Sequence, residues 1–146
     1  MAAVARSLAS CLFCKIIKGE IPSFKLIETD LSFSFLDIGP LSRGHALVIP
    51  KDHGEKLTDV DDAFLADTLL VSKRIAGALG CDNYNILQNN GELAHQVVKH
   101  VHFHVIPKPN AEQGLVIGWP TQEANMDELK VLHEELSAKL RVGEGN

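Results

Sequence analysis

The 146-residue chain predicts an α+β domain, a mainly antiparallel sheet with one long inserted helix and a second helix at the C-terminal end. Three observations point there. Short apolar or alternating runs recur, each bounded by Gly, Pro, Asn or Asp, as strands joined by tight connections require. Between Asp59 and Leu79 the apolar residues take up helical spacing, and they do so again after Asn125. One run, His100-Val101-His102-Phe103-His104-Val105-Ile106, alternates imidazoles with apolar side chains, the period of a strand.

Residues 1–10 are expected to be a flexible tail, followed by a single domain over 11–146. Phe24-Lys25-Leu26-Ile27-Glu28 and Ser32-Phe33-Ser34-Phe35-Leu36 read as two strands on either side of the turn-prone Thr29-Asp30, which suits a hairpin. Gly39-Pro40 breaks the chain, and Gly44 leads into His45-Ala46-Leu47-Val48-Ile49, a strand stopped by Pro50. Val60, Phe64, Leu65, Leu69, Ser72, Ile75, Ala76 and Leu79 then share a helical period, with Asp59 or Thr58 as cap and Gly80 as stop. Extended structure resumes at Tyr84-Asn85-Ile86-Leu87-Gln88. A polar loop from Asn89 to Gln96 precedes the histidine strand, which Pro107 ends. The segment Asn110 to Ala124, with Gly114, Gly118 and Trp119-Pro120, is a long irregular excursion of the kind that a partner or ligand orders. The last helix spans Met126 to Arg141: Asn125 with Glu128 makes a capping box, and Leu129, Leu132, Leu136 and Leu140 line one face.

A chain of this length can bury roughly 70% of its unfolded surface in one core. Its net charge of −5 and pI near 5.8 give no basic footprint, so nucleic acid is not an expected partner, whereas a small nucleotide held by local donors is admissible. No apolar stretch approaches the roughly 18 residues of a membrane span, so no membrane partner is expected either. Met1 to Ser10, with Arg6 and no acidic residue, is faintly like a transit peptide but short, its apolar run is too weak for a secretory signal, and Leu8-Ala9-Ser10-Cys11 lacks the hydrophobic stretch a lipoprotein signal needs; cytoplasm or nucleus is the expected location. Cys11, Cys14 and Cys81 make no disulfide framework. In Cys11-Leu12-Phe13-Cys14 a redox pair would call for a preceding strand and a long following helix, whereas here a short tail precedes and Gly19 and Pro22 limit any helix. Half of a zinc site fits better, given two further ligands, with two core cysteines as the alternative. Cys81, just after Gly80, reads as a small buried side chain.

Residues two apart on a strand share a face, about 6.7 Å apart along the chain. The histidine run therefore sets His100, His102 and His104 on one side, with Val101, Phe103 and Val105 behind. An ordinary half-buried strand would present Thr, Lys or Ser to water; three imidazoles in register mark a site. A zinc held by the three alone is awkward, because they are splayed along the strand with no carboxylate or thiolate beside them. A neutral imidazole acting as nucleophile, with its neighbours orienting it and donating protons, suits the pattern better.

The run has the form His-φ-His-φ-His-φ-φ, φ being apolar, and resembles the signature of the histidine triad (HIT) superfamily of nucleotide hydrolases and transferases. The likeness extends from Cys11 to about Trp119 and includes Cys14-Lys15-Ile16-Ile17, Gly19-Glu20-Ile21-Pro22-Ser23, Phe35-Leu36-Asp37-Ile38 and Gly44-His45-Ala46-Leu47-Val48-Ile49-Pro50-Lys51-Asp52-His53. Within the superfamily the chain looks like the purine nucleoside phosphoramidases, most of all their fungal and bacterial members. The resemblance implies a HIT-like fold and cleavage of AMP–nitrogen bonds in adenosine 5'-monophosphoramidate-type substrates through a covalent nucleotidyl-histidine. His102 would be the nucleophile, with His100, His104 and Gln96 completing the catalytic set and His45 with backbone carbonyls fixing the tautomer of His102. Phe13, Ile16, Ile21, Phe35, Ile38 and Leu47 would surround the purine, and Asp37 would accept hydrogen bonds from the ribose. Asn89, Gln96, Val97 and Val98 would lie on the phosphate and leaving-group side.

Related proteins commonly carry Gly-Gln-Ser/Thr before the triad, where this chain has His95-Gln96-Val97. A hydroxyl donor is absent there, and His95 is expected to substitute for it. Some bacterial members resemble this chain in holding a structural zinc, here by Cys11, Cys14, His53 and His100; no cofactor is implied for the chemistry itself. A homodimer is also implied, with the Trp119 loop reaching the partner's site. A dinucleoside polyphosphate hydrolase and a non-catalytic nucleotide-binding adaptor are the alternatives.

Overall fold

The structure, a computed structural model, describes residues 4–144. The first three residues of the expected tail and the last two of the expected domain lie outside the described residues. Contacts divide the chain into two compact units, one ending at Val116 and one starting at Ile117.

The first unit carries helix α1 (Leu12–Ile17), strands β1 (Lys25–Glu28), β2 (Ser32–Leu36) and β3 (Ala46–Pro50), helix α2 (Asp62–Leu79), and strands β4 (Tyr84–Gln88) and β5 (Phe103–Pro107). All five strands join one antiparallel sheet in the order β1-β2-β3-β5-β4. Between β1 and β2 the register slips by one residue, and Ser34 absorbs the slip. Its hydroxyl accepts from Ile27 N and donates to Ile27 O, both at 2.8 Å, so neither backbone group is left unpaired. The strand period sends Phe33, Phe35, Leu47 and Ile49 to one face, where they pack against Cys11, Phe13, Cys14 and Ile16 at and in α1. Ala46, Val48 and Val105 go to the opposite face against Val71, Ile75 and Ala76 of α2. The expected α+β class, with its antiparallel sheet and long inserted helix, is thus what the chain forms.

Three boundaries depart from the sequence-based expectation. The long helix starts at Asp62 instead of Asp59, because the Asp59 carboxylate accepts from Lys56 N at 2.9 Å and closes a separate 3-10 turn over Leu57–Asp59, after which Val60 is extended. It ends as expected at Gly80, whose φ of 66° closes the helix in the left-handed region. The histidine strand starts only at Phe103. Pairing with both β3 and β4 ends at that residue, and Val101 N is drawn away to Gly54 O at 2.8 Å, so His100 and His102 precede the ladder. Cys81 is half-buried instead of fully buried, since it lies beyond the helix stop. Within the expected tail, Arg6 grips the buried Asp52: its backbone N and its Nη2 lie 2.8 Å from the carboxylate oxygens and its Nε 2.9 Å. These bonds and one from Asp61 N outweigh the opposing effect of burial, so the Asp52 carboxyl titrates below its ordinary range.

The second unit contains helix α3 (Met126–Glu144), three residues longer than expected at its end. Asn125 Oδ1 caps it by accepting from Asp127 N at 3.0 Å and Glu128 N at 3.1 Å. No helix among the described residues is long and apolar enough to cross a membrane.

Candidate active site

The sheet face that carries α1 opens into a cavity of about 830 Å³. Leu47 of β3, Leu87 of β4 and His104 of β5 form adjacent parts of its floor, because Leu47 and Leu87 are the cross-strand partners of His104. Phe13, Ile16, Ile21 and Phe35 line it from the apolar side. Asp37 and Ile38, just past β2, stand at its edge with Asn89, Val97 and Val98. The walls are mostly apolar and no Lys or Arg contributes to them. A cavity of this size, with a few convergent polar groups, has the dimensions of a small-ligand site.

Two residues expected there are elsewhere. Gln96 is buried outside the cavity with its amide fully committed: Oε1 accepts from Gly91 N at 2.7 Å, while Nε2 donates to Glu55 O at 2.6 Å and Val98 O at 3.1 Å. Its geometry shapes the loop and offers no donor to a ligand. His100 is buried outside the cavity as well: its ring points into the cysteine cluster and its carbonyl accepts from His102 Nδ1.

Hydrogen bonding fixes the tautomers of the remaining rings. A carbonyl can only accept, so the 2.7 Å contact between His102 Nδ1 and His100 O places a proton on Nδ1 and leaves Nε2 with its lone pair bare. Leu41 N donates to His45 Nδ1 at 3.0 Å, which puts the proton of His45 on Nε2. That proton points at His104 Nδ1, 2.9 Å away, so His104 carries its own proton on Nε2 and is a donor there. His45 therefore orients His104, not His102 as the sequence suggested; the backbone carbonyl alone orients His102. The His102 and His104 rings lie 5.0 Å apart, and the edge of Phe13 packs against His102 at 5.2 Å. Burial lowers the pKa of His102 and of His45, and with the neighbouring imidazoles pushes His104 down to about 4, so all three are neutral near pH 7. Asp37 accepts from Gly39 N at 2.8 Å, the turn-closing bond its place in the sequence allows, and its second oxygen lies 3.5 Å from His45 Nε2.

A second cluster lies beside the cavity. His100 Nε2 donates to Pro50 O at 2.8 Å, leaving Nδ1 bare and facing Cys11 Sγ at 3.4 Å, Cys14 Sγ at 3.6 Å and His53 Nδ1 at 3.1 Å. Cys14 Sγ is 3.4 Å from His53 Nδ1, and all four donor atoms lie within 4.8 Å of one another. Tetrahedral ligation by two thiolates and two imidazoles spaces its donors by about 3.3–3.8 Å, close to these separations, so the set is compatible with a bound metal. Asp37, His45 and His104 also converge. They are not such a set, because the bond from Leu41 N to His45 Nδ1 requires a proton on the nitrogen that would have to ligate.

Several contributors had no expected role. Leu41 N and Pro50 O are main-chain groups, which no residue letter announces, and the carbonyl expected to orient His102 is that of His100. Leu87 had a signal, since the alternation of Tyr84 to Gln88 puts it on the same face as Asn85, away from Ile86.

Residues 18–111 match the HIT domain. The chain belongs to the HIT family. This HIT chain is 59% identical over 140 residues to the adenosine 5'-monophosphoramidase of Saccharomyces cerevisiae, covering 96% of itself and 89% of that protein. It is 56% identical to the adenosine 5'-monophosphoramidase of Schizosaccharomyces pombe, covering 90% of itself and 99% of the relative. Its fold superimposes on the crystal structure of the histidine triad nucleotide-binding protein from Candida albicans with a TM-score of 0.86 at 52% identity, covering 90% of this HIT chain and 98% of the other.

Proposed function

We propose that this HIT protein is a nucleotide hydrolase that cleaves the phosphorus–nitrogen bond of adenosine 5'-monophosphoramidate-type substrates by way of a nucleotidyl-histidine. The observation that carries this reading is the bare Nε2 of His102 at the cavity wall, with its Nδ1–H held at 2.7 Å by His100 O. The purine is held among Phe13, Ile16, Ile21, Phe35 and Leu47, and Asp37 accepts from the ribose hydroxyls. The Nε2 lone pair bonds to phosphorus as the bond to nitrogen breaks, and the amine leaves with that electron pair and takes a proton from water. Positive charge then resides on the modified imidazole, whose Nδ1–H bond to His100 O strengthens as it forms. His104 Nε2–H donates to a phosphoryl oxygen, where charge develops. Water attacks in the second displacement and gives up a proton to solvent, the electron pair of the phosphorus–nitrogen bond returns to His102 Nε2, and AMP is released. Two in-line steps thereby replace one hard one, each driven by positioning.

Zinc is the metal that best suits Cys11, Cys14, His53 and His100. Two thiolates and two imidazoles form a closed, four-ligand set whose role is structural, pinning the first turn of α1 and its cap to the residue that orients His102. A second copy of the chain is the expected partner. The exposed Tyr84 and Ile86 on edge strand β4, with Leu69, Leu70 and Leu79 of α2, supply apolar surface that supports a homodimer.

Mass spectrometry of protein quenched during turnover of adenosine 5'-phosphoramidate tests the reading. An adenylyl group should appear on the peptide containing His102. His102→Ala should abolish turnover while leaving AMP affinity within about tenfold, because the substitution removes the nucleophile and not the purine pocket. Unimpaired hydrolysis by that variant would refute the mechanism.

A further inference from the structure

We propose that His95 selects the leaving group, favouring conjugates whose departing amine carries a carboxylate; this rests on the phosphoramidase reading above. His95 lines the cavity and is exposed, whereas His45 and His102 are buried and His104 is largely so. With no Lys or Arg in the walls, the cavity's other side chain of formal charge is the Asp37 carboxylate, already bonded to Gly39 N and near His45. At the end lined by Asn89, Val97 and Val98, the two valine side chains offer no donor. The amide of Asn89 is turned to His95 O, with Nδ2 at 3.3 Å. The ring of His95 is thus the water-accessible imidazole of the site. Its ring nitrogens can meet an acidic group of a ligand through a hydrogen bond.

The backbone supports the same assignment. His95 has φ of 68°, the one positive value outside glycine among the described residues. Glycine is favoured in that region, so the loop holds a bulky ring where the chain geometry does not call for one. His95 N donates to Glu92 O at 2.9 Å, and the buried amide of Gln96 locks the next residue, which fixes where the ring emerges. In the step concerned, His102 Nε2 bonds to phosphorus, the phosphorus–nitrogen bond breaks, and the amine departs with its electron pair and a proton from water. His95 takes no part in that exchange of bonds. It contacts the acidic group borne by the departing amine.

The test compares the full-length protein with His95→Gly and His95→Asn, both of which suit a left-handed backbone and so preserve the loop. The substrates are the adenosine 5'-phosphoramidate of aspartate, its dimethyl ester, and unsubstituted adenosine 5'-phosphoramidate. Wild type should prefer the aspartate conjugate to its ester. His95→Gly should lower kcat/KM for the aspartate conjugate about tenfold, a typical charge-assisted hydrogen-bond effect, and change the ester and AMP binding less than about threefold; His95→Asn should fall between. Equal losses on both conjugates and on AMP affinity would mean that the ring serves the phosphate, and would overturn the proposal. So would unchanged selectivity in His95→Gly. Turnover of unsubstituted phosphoramidate by wild type separates these failures from failure of the phosphoramidase reading; its absence would sink both.

Discussion

Replacing His45 by alanine tests whether a ring that touches no reacting atom acts through its neighbour. His45 holds His104 through one hydrogen bond of 2.9 Å and is itself held by Leu41 N at 3.0 Å. A bond between neutral partners contributes about 0.5–1.5 kcal/mol net, and somewhat more in a buried site, so we take about 1–2 kcal/mol for the orientation of His104. That corresponds to a loss of about 5- to 30-fold in kcat. His104→Ala removes the proposed donor to the phosphoryl group itself and should cost about 10²–10³ in kcat, as loss of an oxyanion donor does. The two sites are in contact, so their effects should not add. In the double variant, His45→Ala should cost nothing beyond His104→Ala, measured as single-turnover rates on adenosine 5'-phosphoramidate at saturating substrate. Leu41 is half-exposed, so water can satisfy its amide and the fold should persist, which a circular dichroism melt checks. If the losses in the double variant multiply, His45 acts independently of His104 and the relay is wrong.

The pH profile follows from the buried rings. Burial lowers the pKa of His102 and takes His104 down to about 4, and the proposed mechanism uses the neutral forms, so the acid limb of kcat/KM should lie below pH 6.5; half-maximal activity at or above 6.5 would contradict this. The same shifts govern stability. In the unfolded chain these imidazoles take up protons near 6.5, in the folded one only lower, so stability present above 6.5 should be lost progressively as pH falls towards about 4, as urea titrations would show. Metal analysis of protein purified without chelator should find about one zinc per chain, and stripping it should lower Tm by several degrees. Absence of zinc after supplementation would exclude the four-ligand set.

The hairpin, the β4 strand and the cap of α3 were legible because each rests on local chemistry: alternation at Ser32 to Leu36 and Tyr84 to Gln88, and the Asn125 side chain reaching two amides of its own first turn. The walls of the cavity followed from motif likeness, since nothing in the letters of Phe13 or Leu47 separates a cavity wall from a core. Where the reading failed, a long-range or main-chain partner decided the outcome. The histidine strand is short because Gly54 O captures Val101 N, and Gln96 is structural because Glu55 O, Gly91 N and Val98 O saturate it. The grip of Arg6 on Asp52 spans 46 positions, beyond the range of any periodicity.

The oxygen that orients His102 belongs to the peptide unit of residue 100, so no side-chain replacement at that position can delete it. Its placement depends on the path of the chain, pinned by Val101 N at Gly54 O and by the His100 ring at Pro50 O, each at 2.8 Å. A substitution survey would pass over this group silently, and the positions that do disturb it would resemble ordinary packing defects in neighbouring loops. The aim of the His102 ring is in this way buffered against point mutation and exposed mainly to changes in loop length.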